Sequence, residues 1–520
     1  MYGALMILFI SLIFSACHKS SNPGIDYIPK EANVVVSINV KQLHDKLKDG
    51  NFNVDSLMDN LKTQDSAFTL LPYLDLKVAP LVFVQYKSSV MSGKDILTGA
   101  VGKLNDRAGF EKQLASSYPG KSIVKKEDYS YLSLSDNNCY VWNNDILAIY
   151  GASNIVEKIP TLFKLKKDAS LADDKNAIKT LNNNGDINFY SSSKDGLGNI
   201  PMLSMTKISD LIKGNYWGAT LNFENGQVVL NGDCYYNKTV EDLIKKNPSK
   251  DVNKALLANY PGKPIGLFQI SFNLKQIFSF LDYAGVTSMI EGYMKNLGIT
   301  MDDLTNAFSG QVALAMQSTK GSSLDKGAPK MVGVIPIGDK SSFDKLMGAL
   351  AKMGIFEQVG GQWVPQGMPA DQSWSFHEDD NAIVFSSDKE LSEKFQSGSE
   401  KLIYPKDLDY NDKTSVFYVD FTTLFEEISS FNNASDSATT AIAKETFENL
   451  EASASNINGN HSSINLVLHL KNKSKNSLPL IISTFDQINK IEKSQPSITV
   501  DSLSRFTPPV IVPDVKSDTE

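Results

Sequence analysis

The sequence predicts an α+β fold: two tandem copies of one domain, each a mainly antiparallel sheet packed with helices. Three observations carry this. Short apolar, β-branched runs outnumber the helical stretches and do not alternate with them as regular βαβ units would. Landmarks of the first half return in the same order in the second. The chain has 520 residues, beyond the roughly 250–300 at which a single core stops growing. With 42% hydrophobic and 21% charged residues the composition is that of a globular protein. A net charge of -8 argues against a general nucleic-acid binder, which needs a basic face.

The chain opens with "MYGALMILFISLIFSAC", apolar and uncharged, with small residues Ser15 and Ala16 before Cys17. This resembles a bacterial lipoprotein signal and its lipobox, with Phe14 where Leu is usual and no basic segment in front. The resemblance implies a signal peptide over 1–16, lipidation of Cys17 and a tether over 17–26. A transmembrane helix is the weaker reading, because the apolar run is shorter than the ~20 residues a span needs. The expected location is the cell envelope, as an outer-membrane lipoprotein that is periplasmic or surface-exposed. The membrane is then a partner through the acyl chains on Cys17. In such an oxidising compartment Cys139 and Cys234 have two outcomes, a disulfide or two buried free thiols, and sequence does not decide between them.

"SINVKQL" at Ser37–Leu43 returns as "SFNLKQI" at Ser271–Ile277. Phe110 and Lys112 match Phe343 and Lys345. Tyr150 matches Phe385, Phe189–Tyr190 match Phe417–Tyr418, and Asn225–Gly226 match Asn458–Gly459. Near-constant spacing of collinear matches predicts copies over 27–250 and 251–490. Within each copy a buried strand ("NVVVSI" in the first) runs into a helix. Asn39 is the expected N-cap, with Gln42 placed to reach back to the cap's N–H; Asn273 and Gln276 repeat the arrangement. The repeated residues therefore read as structural helix caps rather than as a repeated ligand site. Leu274, Ile277, Phe278, Leu281, Met289, Ile290 and Tyr293 form a stripe expected to pack a helix on its own sheet. "VAPLVFVQY", "ILTGAVGKL", "YSYLSL", "CYVWN" and "ILAIYG" read as strands, with helices from about Gly109 and over 154–164. Each copy closes on an Asn-Gly hairpin, for which a type I′ turn is expected. Pro496, Pro508, Pro509 and Pro513 mark 491–520 as a Pro-containing C-terminal tail, its "PPVIVP" suited to partial docking on the second copy.

Spacings that carry chemistry are near misses. "GVIPIGDKSS" would be a P-loop but for Asp339, which sets a carboxylate where phosphate needs N–H donors. "DLDYND", from Asp407, begins like a calcium loop, but Asp412 stands at the glycine position and Tyr418 at the bidentate Glu position. "HEDDN", His377–Asn381, reads as a hairpin turn. His461 and His469 have no third partner at ligand spacing. No metal site, catalytic residue or cofactor-binding residue is expected. Trp142, Trp217, Trp363 and Trp374 suit core or cross-strand packing better than a sugar platform. "DSL" at Asp55 and Asp501 and "DSA" at Asp65 and Asp436 resemble short envelope glycosylation signals, on Ser56, Ser66, Ser437 and Ser502.

The lipoprotein start, the "YIPKEANVVVSINVKQL" opening, the matching halves and the length together resemble the Bacteroidetes lipoproteins carrying the domain of unknown function 4836. That resemblance implies compartment and architecture and brings no activity. The expected function is a non-enzymatic, lipid-anchored binding or interaction module with a protein or glycan partner, engaged where the copies meet. The alternative is an envelope hydrolase using paired carboxylates, which need no fixed sequence spacing.

Overall fold

The computed structural model describes residues 22–54, 66–89, 93–193, 206–317, 330–367, 374–406, 408–428 and 434–493. Cys17 with its signal segment 1–16, Asp407, Ser56, Ser502 and residues 494–520 of the tail lie outside them. The first half contributes β1 (Val34–Ile38), β2 (Leu81–Ser89), β3 (Gly93–Lys103), β4 (Val124–Lys125), β5 (Ser130–Ser135), β6 (Asn138–Trp142), β7 (Ile146–Gly151), β8 (Ile187–Ser192), β9 (Tyr216–Glu224) and β10 (Gln227–Tyr235). The second contributes β11 (Gly266–Ser271), β12 (Gln311–Met316), β13 (Met331–Pro336), β14 (Phe356–Val359), β15 (Gln362–Pro365), β16 (Ser375–Glu378), β17 (Ala382–Ser386), β18 (Lys413–Asp420), β19 (Phe447–Ser455) and β20 (His461–Leu470).

Eighteen of these strands form one antiparallel sheet, with β14 and β15 a separate hairpin. In the first half the hydrogen-bonded order is β4-β5-β6-β7-β3-β2-β1-β8-β9-β10. In the second it is β16-β17-β13-β12-β11-β18-β19-β20. From β6 onward the two halves have the same strand order. β1 and β11 are central strands; β1 is nearly all β-branched, and β11 carries a buried Gln269 whose Nε2 donates to Asn253 O at 3.2 Å.

The halves meet strand to strand. β10 pairs antiparallel with β20 from Gln227↔His469 to Tyr235↔His461, with Asn231 opposite Asn465 at its centre. The chain beyond each of these strands then binds the hairpin turn of the other half. Gly226 N–H donates to Lys475 O at 2.9 Å, and Tyr236 N–H to Asn460 O at 2.7 Å. Helices cross over in the same sense. Lys238–Lys246, after β10, packs on Leu274–Ala284 of the second half, and Ser477–Lys493, after β20, packs on Val40–Asp49 of the first. Gly50 at the end of Val40–Asp49 has no room for a side chain, because a Cβ there would lie 2.5 Å from Pro479 Cγ.

Each wing is closed by equivalent helices. Phe110 on Arg107–Ser117 and Phe343 on Lys340–Lys352 are both fully buried. Ile155–Leu162 and Lys389–Ser397 cover the other core of their halves.

The joint after the first strand of each half is capped by asparagine. Asn39 Oδ1 accepts Gln42 N–H at 3.1 Å, and Asn273 Oδ1 accepts Lys275 N–H at 3.0 Å. The glutamines do not behave as expected. Asn39 N–H is already bonded to Asp186 O at 2.8 Å, so Gln42 Oε1 takes the Asn39 side-chain amide instead, at 2.7 Å. Gln276 is turned towards Ser249, and its buried Nε2 has no partner among the described residues. The helix that starts at Asn39 is held down by Lys46, whose Nζ lies 2.6 Å from the fully buried Asp186 carboxylate.

Two further expectations differ. The stripe from Leu274 is split by Gly285 (φ 80°) into Leu274–Ala284 and Thr287–Leu297, which leaves Met289 and Tyr293 exposed while Met294 is buried. Neither Asn225 nor Asn458 takes the positive φ of a type I′ turn; only Gly226 and Gly459 do. Asn225 is held in strand-like pairing with Asn476, and Asn458 with His461, which moves the second turn onto Gly459–Asn460.

Replacing Asn39 with Ala removes the cap and should lower unfolding free energy by about 0.5–2 kcal/mol. Denaturant melts measure it; an unchanged midpoint would show that the Asp186 contacts alone hold the joint.

Candidate functional site

Strand register sorts the residues where the halves meet into two faces. One face is apolar: Phe223–Val228–Leu468, Leu221–Leu230–Leu466 and Ala219–Gly232–Ile464 lie in cross-strand rows. The other face is polar, in rows Tyr216–Tyr235–His461, Gly218–Asp233–Ser463 and Thr220–Asn231–Asn465. Each row runs over β9, β10 and β20, so both halves supply it. Burying such rows without partners would cost free energy, and here they lie open beside a cavity of about 190 Å³ walled by Asn176, Lys179 and Thr180 of the helix Lys175–Leu181. Gly218 lets that helix approach, since a Cβ there would lie 2.8 Å from Thr180 Oγ1.

The polar rows are cross-linked. Asn465 Nδ2 donates to Asn231 Oδ1 at 2.8 Å. Ser463 Oγ donates to Asp233 Oδ1 at 2.7 Å, and His461 Nε2 lies 3.3 Å from the same oxygen and 3.2 Å from Ser463 Oγ. The serine hydroxyl and the carboxylate address the same imidazole nitrogen. A nucleophilic triad needs them on opposite nitrogens, so this cluster orients side chains and does not activate the serine. Asp233 is the one carboxylate among the residues lining the cavity, so paired-carboxylate chemistry has no second group there.

The Tyr216 and Tyr235 rings stack at 4.5 Å with planes 11° apart, and His461 follows at 5.4 Å. On the inner side Tyr190 packs 6.1 Å from Tyr216 and donates its hydroxyl to Asp174 at 2.7 Å. Burial, then the neighbouring Tyr235, pushes the Tyr216 phenol up to about 12.

Other residues singled out in the sequence have structural places. Asp339 caps the helix Lys340–Lys352 by accepting Ser342 N–H at 2.8 Å. Asp379 accepts the N–H groups of Asn381 and Ala382 in the hairpin turn. Tyr418, at the calcium-loop Glu position, is a core residue. Among the described residues no group of three His, Cys, Asp or Glu is placed to hold a metal ion. Cys139 and Cys234 are free; burial pushes the Cys139 thiol up to about 12. Trp142 is fully buried, Trp217 lies against Phe189, and Trp363 and Trp374 line a second cavity. Sequence reasoning passed over Asp233 and Ser463, although "LNGDCY" and "HSSIN" carry polar residues at alternate positions.

Because the Tyr216 phenol ionises near 10 when unfolded and near 12 when folded, its contribution is fully present below pH 10 and lost as pH rises through 12. Tyr216→Phe should therefore flatten the fall of stability over that alkaline window, read by denaturant melts at stepped pH; an unaltered slope would contradict the raised ionisation of this half-buried phenol.

No curated protein matches the chain. Similar solved structures include crystal forms I and III of TP0453, each at 11% identity with a TM-score of 0.24. They cover 44% and 45% of this chain and 86% and 90% of theirs. No helix among the described residues is long and apolar enough to cross a membrane. The family model for a domain of unknown function, DUF4836, matches residues 25–334, more than half of the chain, and the chain belongs to that family.

Proposed function

We propose that the protein is a lipid-anchored cell-envelope binding module that takes a glycan on the polar face where its two halves meet. The observation that carries this reading is the set of three polar rows shared by β9, β10 and β20. A sugar presents hydroxyls to carboxylate and amide groups and an apolar ring face to tyrosine. Asp233, Asn231 and Asn465 offer the first kind of contact, and the outer edge of the Tyr216–Tyr235–His461 row the second. All sit on strands of one sheet, a more rigid support than loops. The same reading takes the halves as two copies of one unit, supported by their common strand order and by the collinear sequence matches. It places the anchor at Cys17, supported by the small residues before it in "FSAC".

A glycan array on the mature protein, followed by calorimetry with the best oligosaccharide, tests the site. Asp233→Ala and Tyr235→Ala should each weaken binding by about tenfold or more, the loss of one charged hydrogen bond or one ring contact. Each variant should lose no more stability than the cross-strand pair it removes, about 0.2–1 kcal/mol, and should stay folded. Undiminished affinity in both variants would move the site elsewhere. For the anchor, Cys17→Ser should shift the protein from the membrane to the soluble fraction or leave it unprocessed; unchanged fractionation and mobility would contradict lipidation.

A further inference from the structure

The first half buries a glutamine in the sheet face that the helix Ile155–Leu162 covers. Along β2 the side chains of Leu81, Phe83 and Gln85 alternate onto that face, and Leu81 and Phe83 are fully buried in the core. Gln85 follows them, opposite Leu97 of β3, and is only 4% exposed. β1 pairs with β2 as far as Val34↔Val84 and ends short of Gln85. The chain before β1 turns away there, held by Lys30 N–H on Ala169 O at 3.0 Å. A cavity of about 390 Å³ is left between this turn, the sheet and the end of the helix. The second half has no such glutamine. Ser37 lies opposite Leu81 and Ser271 opposite Gln311, so Gln85 corresponds along the strand to Ala315, which is fully buried in its core. The carboxamide is therefore not something the fold requires.

The Gln85 side chain makes no hydrogen bond to any described residue. The little surface it keeps is at its carboxamide, where neither Oε1 nor Nε2 is sealed off, unlike the enclosed Oε1 of Gln269. A donor and an acceptor thus face the cavity side by side, and leaving them unbonded costs free energy. The wall beside them is apolar, with Leu97, Leu162 and Leu165. Half-buried Glu31 and exposed Glu157 stand on the solvent side and form no ion pair among the described residues, while Lys158 next to them has a partner of its own. Another glutamine of this molecule displays what such a carboxamide binds. Gln362 Oε1 accepts Glu378 N–H and its Nε2 donates to Glu378 O at 3.3 Å, so one side chain takes both backbone groups of one extended residue. Extended residues turn N–H and C=O to the same side, as antiparallel pairing requires.

We propose that this cavity binds a short extended peptide with an apolar residue beside a cationic one. The N–H and C=O of the apolar residue pair with Gln85 Oε1 and Nε2. Its side chain rests on Leu97, Leu162 and Leu165, and the cation meets Glu31 and Glu157. The volume lies within the range of small-ligand pockets. This site is separate from the polar face and does not rest on the glycan reading.

The test titrates the intact protein with the blocked tripeptide acetyl-Lys-Leu-Ala-amide, read by saturation-transfer NMR. Binding should saturate. The depsipeptide in which an ester oxygen replaces the leucine N–H should bind about tenfold more weakly, the difference expected for an acceptor left unmatched. Gln85→Leu should weaken the tripeptide about tenfold and bring the two ligands to equal strength, without lowering the melting temperature, because it removes an unbonded amide. The double variant Glu31→Gln, Glu157→Gln, altered only outside the core, should weaken the tripeptide about threefold. Equal binding of tripeptide and depsipeptide to the parent chain, undiminished binding in Gln85→Leu or in the double variant, or binding of N-acetylglucosamine in place of the peptide would overturn the proposal. So would the absence of saturable binding.

Discussion

The antiparallel pairing of β10 with β20 is the constraint on which the rest depends. It joins two sheets edge to edge, so the last strand of each half is never a free edge open to pairing with another chain. It also brings the Asn-Gly hairpin of each half within reach of the other half's outgoing chain. Gly226 has no room for a side chain, because a Cβ there would lie 2.6 Å from Lys473 Cα. With the hairpins fixed, Lys238–Lys246 and Ser477–Lys493 are directed across the junction onto the first helix of the opposite half. Strand pairing, turn contacts and helix packing are thus one coupled arrangement.

The two faces follow from that register. Shifting β20 by one residue would set Leu466 beside Asn231 in one direction and Asn465 beside Leu230 in the other. The hydrogen bond from Asn465 Nδ2 to Asn231 Oδ1 favours the observed register, because slippage would leave both amides facing apolar neighbours. The wings can then specialise. The first is filled by Trp142 against Phe110, and the second retains a cavity beside Phe376 and Phe385. One sheet therefore presents a polar face at its middle and an apolar cavity at one wing.

Much of the α+β fold was legible because its signals are local. "NVVVSI" announces a central strand, Asn39 and Asn273 sit where a helix leaves a strand, and Gly226 marks a hairpin. What the sequence concealed is long-range. Gln42 has the right spacing for a capping box, but Asp186, far along the chain, satisfies the N–H it would have bonded. Met289 and Tyr293 fit an apolar stripe until Gly285 turns the helix. The candidate site was hidden for the same reason. Asp233 and Ser463 are separated by most of the second half and meet only through strand register. The alternation in "LNGDCY" reports a polar face without reporting what lies opposite it.

Native-state hydrogen exchange on the intact protein measures the junction most directly. Gly232 and Ile464, paired at its centre, should exchange only through global unfolding, with the same protection free energy as Val35 and Leu267 in the central strands of the two halves. Fast exchange at Gly232 and Ile464 while Val35 and Leu267 stay protected would contradict the account, for the halves would then be independent units and the polar rows a passing contact between them.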